Sequence, residues 1–128
     1  MKPGIKNEIS LFVTQERSAS AMGSGTLEVF ATPAMVALME QTAAESVESL
    51  LEEGNTTVGT MIQVNHLAAT PMGMKVTCNS ELVAVEGRKL TFKLEAFDEV
   101  GLIGTADHER FVVGADRFLE KVNAKIKK

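Results

Sequence analysis

The clearest periodic signal in the chain lies between Thr32 and Gly54. Val36, Ala43, Val47, Leu50 and Leu51 recur at helical spacing, with Met35, Met39 and Thr42 flanking them. This predicts an amphipathic helix over residues 33 to 52. Thr32-Pro33 is a start signal, because threonine suits the N-cap and proline suits the first helical position, where its missing N–H costs nothing. Gly54-Asn55 is the matching stop. About twenty residues make a helix roughly 30 Å long.

From Thr57 the period changes to two. Val58, Thr60, Ile62 and Val64 are expected on one strand face, joined by His66, and Gly59, Met61, Gln63 and Asn65 on the other. Thr70 to Gly73 reads as a turn. Met74–Val85, Lys89–Asp98 and Leu102–Val113 follow as strands, separated by turns at Glu86–Arg88 and Glu99–Gly101. Within the second of these, Leu90, Phe92, Leu94 and Ala96 share a face. Ile9 to Val13 suggests a first strand. Ser18 to Gly25, made of small residues, is expected to form a flexible loop or lid, and Leu27–Phe30 a short extended element. Asp116 to Lys128 is expected to be a short helix with Phe118, Leu119, Val122 and Ile126 as its apolar stripe.

One long helix followed by four strands on short links points to an α+β fold with an antiparallel meander. A parallel sheet would need a crossover helix between strands, and none is predicted. The economical packing curves the sheet around the helix. One sheet face and an edge strand are then left over, and both are common grounds for dimerisation. At 128 residues the chain is expected to be a single domain, residues 1–128, with a full hydrophobic core.

Composition narrows the chemistry. No apolar run is long enough to span a membrane, and no apolar core follows the lysine near the N-terminus. Cytoplasmic residence is the expectation. A net charge of -4 and the absence of Trp and Tyr argue against a nucleic-acid partner. The one cysteine, Cys78, is expected to be a buried, inert thiol. The C-terminal residues concentrate Arg117, Lys121, Lys125, Lys127 and Lys128, read as a solvated helix end. No histidine pair has metal-ligand spacing, so no metal is expected. There is no phosphate-binding or dinucleotide glycine motif, and no Gly-x-Ser-x-Gly elbow.

Two polar residues break the hydrophobic pattern. Glu40 lies four residues after Val36 and three before Ala43, inside the expected apolar stripe, where a carboxylate is costly unless bonded or facing a cavity. His66 shares a strand face with apolar residues and can exchange a proton near neutrality. Thr32 adds a hydroxyl at the helix start, where free N–H groups favour developing negative charge. Acid, base and hydroxyl are thus expected to converge at a helix–sheet seam.

At these residues the chain resembles the hot-dog superfamily of acyl-CoA thioesterases, and within it the fluoroacetyl-CoA thioesterase-like branch. The resemblance runs from about Leu27 to Lys127. It is carried by the Thr-Pro helix start leading into Val-Ala-Leu-Met-Glu (36–40), Gly59-Thr60, His66 in His-Leu-Ala-Ala-Thr-Pro-Met-Gly, Val85-Glu86-Gly87-Arg88, His108-Glu109-Arg110, and the tail from Phe118 to Lys125. It implies a curved antiparallel sheet wrapped around one central helix. It implies hydrolysis of an acyl-CoA thioester, with the family's catalytic threonine, carboxylate and histidine falling on Thr32, Glu40 and His66. The glycine near the bound thioester falls on Gly59, and Arg110 either organises the site or meets a coenzyme A phosphate. Coenzyme A is then part of the substrate, and no other cofactor is expected. A homodimer, or a higher oligomer built from it, with active sites at the interface is also implied. The fluoroacetyl-specific enzyme carries a larger, aromatic-bearing lid before the helix. Here Met22 is the bulky residue of Ser18–Gly25, so a plain short or medium acyl chain is the expected substrate. Two alternatives stand beside hydrolysis: an acyl-CoA binding module without turnover, and an acyl-thioester dehydratase or hydratase.

Overall fold

The structure is a computed structural model and describes residues 1–126. Lys127 and Lys128, the last two cations of the basic tail, lie outside the described residues.

Five strands form one antiparallel sheet: β1 (Lys6–Phe12), β2 (Asn55–His66), β3 (Lys75–Glu86), β4 (Lys89–Phe97) and β5 (Leu102–Gly114). Their order across the sheet is β1-β3-β4-β5-β2. A one-turn helix α1 (Ala19–Met22) and a long helix α2 (Thr32–Glu48) lie between β1 and β2, and α3 (Ala115–Asn123) follows β5. Strands β3, β4 and β5 are the expected meander. Gly87, at φ +64°, makes the tight β3–β4 turn, and Asp98 Oδ1 accepts the N–H groups of Val100 and Gly101 in the β4–β5 turn, at 2.8 and 3.1 Å.

The expectation that β2 continues that meander is corrected. It pairs with β5 on the far side of the sheet, not with β3. The link between β2 and β3 does not turn back. It crosses the sheet end and is tied there, with Leu67 N–H bonded to Ile103 O at 2.7 Å and Phe30 N–H to Thr70 O at 2.9 Å. Three strand spacings come to about 14 Å, well within the reach of such a link. As a result β1 and β2 are opposite edges, and α2 is the segment that carries the chain from one to the other.

Helix α2 ends at Glu48 with Ser49 as C-cap, earlier than expected. The residues up to Gly54 form turns, closed by Asn55 N–H on Glu52 O. The buried ridge is Met35, Leu38, Met39, Thr42, Ala43 and Val47. The expected stripe was therefore rotated: Val36 and Glu40 lie half-buried on its flank, and Leu50 is exposed. The ridge packs against Val76, Cys78, Leu82, Leu90, Phe92, Leu94 and Ala96 of β3 and β4. Cys78 is fully buried, and burial pushes its thiol up to about 11, consistent with the inert thiol expected. Gly104 on β5 is needed for close approach, since a Cβ there would sit 2.7 Å from the Met35 sulfur.

The segment expected to be a flexible lid is folded. Ser18 is buried, its hydroxyl accepts the Ala21 N–H and donates to Gln15 O, and Gly23 at φ +71° ends the turn. Helix α3 is shorter than expected, and its apolar residues Phe118, Leu119 and Val122 are not buried in this chain. Among the described residues no helix is long and apolar enough to cross a membrane.

Candidate active site

A bulge in β2 sets the geometry of the site. The register against β5 shifts between Gly59 and Met61, which leaves Thr60 as an extra residue. The extra residue reverses the alternation. Before it, Thr57 and Gly59 face the helix; after it, Ile62, Val64 and His66 do. The expected grouping of Val58, Thr60, Ile62 and Val64 on one face is therefore wrong for its first two members. A strict period of two placed Gly59 and His66 on opposite faces, whereas the bulge puts both on the concave face toward α2.

Thr32 is the first residue of α2, not its cap. The N-cap is Ala31, which has no side-chain oxygen to donate to the task. That frees the Thr32 hydroxyl, which lies 2.7 Å from His66 Nδ1. Pro33 contributes no N–H to the first turn, and the remaining N–H groups there carry the positive end of the helix dipole. His66 Nε2 is buried and has no hydrogen-bond partner among the described residues. Burial lowers the pKa of His66, opposed by the nearby Ala68 backbone. A neutral imidazole with one nitrogen bonded and the other unpaired can accept or deliver a proton at the unpaired atom. Thr32 and His66 line a cleft of about 450 Å³ that is walled by Ser24, Leu27, Phe30 and Leu67.

Glu40 joins a different group. A Cβ placed on Gly59 would lie 3.0 Å from Glu40 Oε2, 3.2 Å from Arg110 Nη1 and 3.3 Å from His108 Cε1. Gly59 is thus a gap bordered by a carboxylate, a guanidinium and an imidazole. Arg110 is buried, and donates from Nε to Thr57 Oγ1 at 2.8 Å and from Nη2 to Thr57 O at 3.1 Å. Burial lowers the pKa of Arg110, and the negative charges of Glu40 and Glu48 oppose this. It stays charged at neutral pH.

The sequence-predicted residues therefore come together in two sets. Thr32 meets His66, while Glu40 and Arg110 border the same gap at Gly59. Within one chain the acid therefore stands apart from the hydroxyl and the base along the helix–sheet seam. Glu40 lies eight residues along the helix from Thr32, about 12 Å on the helix axis. His108 and Thr57 were missed as members of the second set. The period of two in β5, where Gly104, Ala106, His108 and Arg110 are all buried, could have found His108; Thr57, in β2, has no such signal.

A family model described as fluoroacetyl-CoA-specific thioesterase matches residues 13–116. The fluoroacetyl-CoA thioesterase of Streptantibioticus cattleyicolor is 47% identical over 100 residues, which cover 78% of this chain and 69% of that protein. A solved structure of the fluoroacetyl-CoA thioesterase FlK superposes with a TM-score of 0.92 at 37% identity, covering 98% of this chain and 97% of that one. A hot-dog-like protein from Thermanaerovibrio acidaminovorans superposes with a TM-score of 0.90 at 26% identity, over 98% of this chain and 93% of that one. The helix-in-sheet architecture is the hot-dog fold.

Proposed function

Because the chain belongs to the family of fluoroacetyl-CoA-specific thioesterases, and its activity is hydrolysis of an acyl-CoA thioester, we propose that its substrate carries a short or medium acyl chain and that Thr32, Glu40 and His66 do the work. The observation that carries the residue assignment is the Thr32–His66 bond at 2.7 Å, which leaves Nε2 of His66 unpaired beside a cleft at the start of α2.

In this reading the acyl carbonyl lies at the first turn of α2, where free N–H groups stabilise the developing oxyanion. Thr32 holds the His66 ring and offers a hydrogen bond near the thioester. His66 passes to the departing thiolate of coenzyme A, at Nε2, a proton that the water consumed in the hydrolysis supplies. Glu40 acts on the acyl carbon, either by activating water or by direct attack to give an anhydride that water then opens. Arg110 orients Glu40 across Gly59. Phe30 walls the cleft, but the preceding segment Ser18–Gly25 holds no aromatic side chain, which favours a plain acyl group over selectivity for fluoroacetyl-CoA. Cytoplasmic residence remains part of the reading, as does the absence of any cofactor other than coenzyme A carried by the substrate.

A homodimer supplies what one chain keeps apart. Strand β2 is paired with β5 on one side, and its other edge is unpaired among the described residues. Antiparallel pairing of two β2 edges about a two-fold axis at Gln63, with Thr60 bulged out of the count, sets Gly59 opposite the partner subunit's His66. Glu40 of one chain then faces the Thr32–His66 pair of the other.

Thiol release from acetyl-, butyryl- and longer acyl-CoAs, with fluoroacetyl-CoA alongside, tests the substrate assignment. Turnover is expected to peak at short or medium chains, and no turnover above background with any of them would refute it. Glu40→Gln and His66→Ala are each expected to lower kcat by at least about a hundredfold while keeping the thermal midpoint within a few degrees. Normal hydrolysis by both variants would place the site elsewhere.

A further inference from the structure

His108 has no part in the chemistry above, yet it is fully buried at the centre of the Glu40 set. Its Nδ1 lies 2.7 Å from Met61 O and its Nε2 lies 3.2 Å from Arg110 Nη1. A carbonyl only accepts and a guanidinium only donates, so Nδ1 must carry the proton and Nε2 must be bare. One neutral tautomer satisfies both bonds at once. The imidazolium would turn an N–H toward the Arg110 N–H.

We propose that His108 is a positioning residue that clamps the β2 bulge to Arg110 and so holds the guanidinium against Glu40 across Gly59. One end of the ring grips the carbonyl of Met61, the first residue after the bulge. The other end is an acceptor for the guanidinium Nη1 that borders the Gly59 gap. Thr57 holds Nε and Nη2 of Arg110, from the residue two before Gly59. The guanidinium is thus fixed from both sides of the bulge, and its remaining freedom is taken by His108. Phe92, at 6.1 Å between ring centroids, packs beside the imidazole. The charged groups that face His108 are Arg110 and Glu109 from its own strand and Glu40 from α2. Their balance with burial keeps the ring neutral, because burial is the largest influence and lowers its pKa.

The effect on catalysis rests on the hydrolase reading, so the test has an arm that does not. Replacing His108 with Phe removes both bonds and fills the space; replacing it with Gln leaves an acceptor for Arg110. With an acyl-CoA that is turned over, His108→Phe is expected to lower kcat about tenfold or more with KM changed less than about threefold, and His108→Gln to recover kcat to within about threefold. The double variant His108→Phe, Arg110→Met should lose no more than Arg110→Met alone, since both act through one group. Independently, ¹⁵N spectra of the imidazoles should show His108 as a neutral Nδ1–H tautomer that takes up a second proton only below the ordinary value of 6.5. Wild-type kcat in the Phe variant, additive losses in the double variant, or an Nε2–H or charged His108 would each overturn the proposal. If no acyl-CoA is hydrolysed, the functional reading fails alone, and the tautomer still decides the role of His108. If the Phe variant does not fold, the Gln variant and the spectra decide it.

Discussion

At the scale of residues, the two histidines carry a pH dependence of stability. Burial lowers the pKa of both His66 and His108 from the ordinary value of 6.5. Ala68 partly opposes this at His66; at His108 the Met61 carbonyl, Glu40 and Glu109 oppose it and Arg110 adds to it. In the pH range between each folded value and 6.5, the unfolded chain therefore binds more protons than the folded one. Stability rises with pH through that window, levels off above it, and is lost as pH falls. Urea unfolding at several pH values between about 5 and 8 checks this, and replacing either histidine by Gln should flatten the slope. A stability that is flat or falls across that range would contradict the burial argument. The proposed site residues are legible as exceptions, because Glu40 and His66 occupy positions where apolar side chains are expected. Thr32 was legible for the wrong reason. Its type suggested a cap, but the cap is Ala31, and the hydroxyl is free to hold a histidine thirty-four positions away.

At the scale of elements, one inserted residue decides which side chains share a face. Period-two reading worked without error for β4, where Leu90, Phe92, Leu94 and Ala96 are all buried. It failed in β2 because a bulge leaves no residue-type signal that alternation can detect; Thr60 is an ordinary strand residue. Deleting Thr60 is therefore expected to do more than shorten a strand. Either Gly59 and Thr57 or Ile62, Val64 and His66 must turn outward, so the variant should lose thioesterase activity and several kcal/mol of stability, as burial of two or three side chains is forfeited. Thermal unfolding and thiol release measure the two losses. A Thr60 deletion that stays active with an unchanged midpoint would mean that the bulge does not set the site. The helix shows the same limit. Its existence was plain from its spacing, but its buried ridge turned out to be Met35, Leu38, Met39, Thr42 and Val47. A stripe of alanines and methionines has little contrast, so the sheet chose the face.

At the scale of the whole molecule, the separation of the two residue sets along α2 makes dimerisation testable through chemistry. Glu40→Gln and His66→Ala proteins, each inactive, are to be mixed under conditions that exchange subunits. In a shared site, the mixed dimer has one intact pair and one doubly defective pair. Random exchange should then restore about a quarter of wild-type activity, since half the dimers are mixed and each has one working site. No recovery, with exchange verified, would mean that each chain is self-sufficient. A monomer by sedimentation at micromolar concentration would remove the shared site altogether while leaving the fold intact.

The sequence by itself determined the classes of element, the turns between them, the one apolar helix and the residues that fit no packing role. These are local properties, set by side-chain spacing, by glycine and proline at turns, and by the cost of burying a charge. Tertiary structure alone decided that β2 crosses to β5, that a bulge turns Gly59 and His66 to the same side, and that Thr32 pairs with His66 while Glu40 faces Arg110 and His108. Those facts depend on strand register and on which side chains meet across the sheet. Register is a property of two strands at once, and no single stretch of sequence carries it.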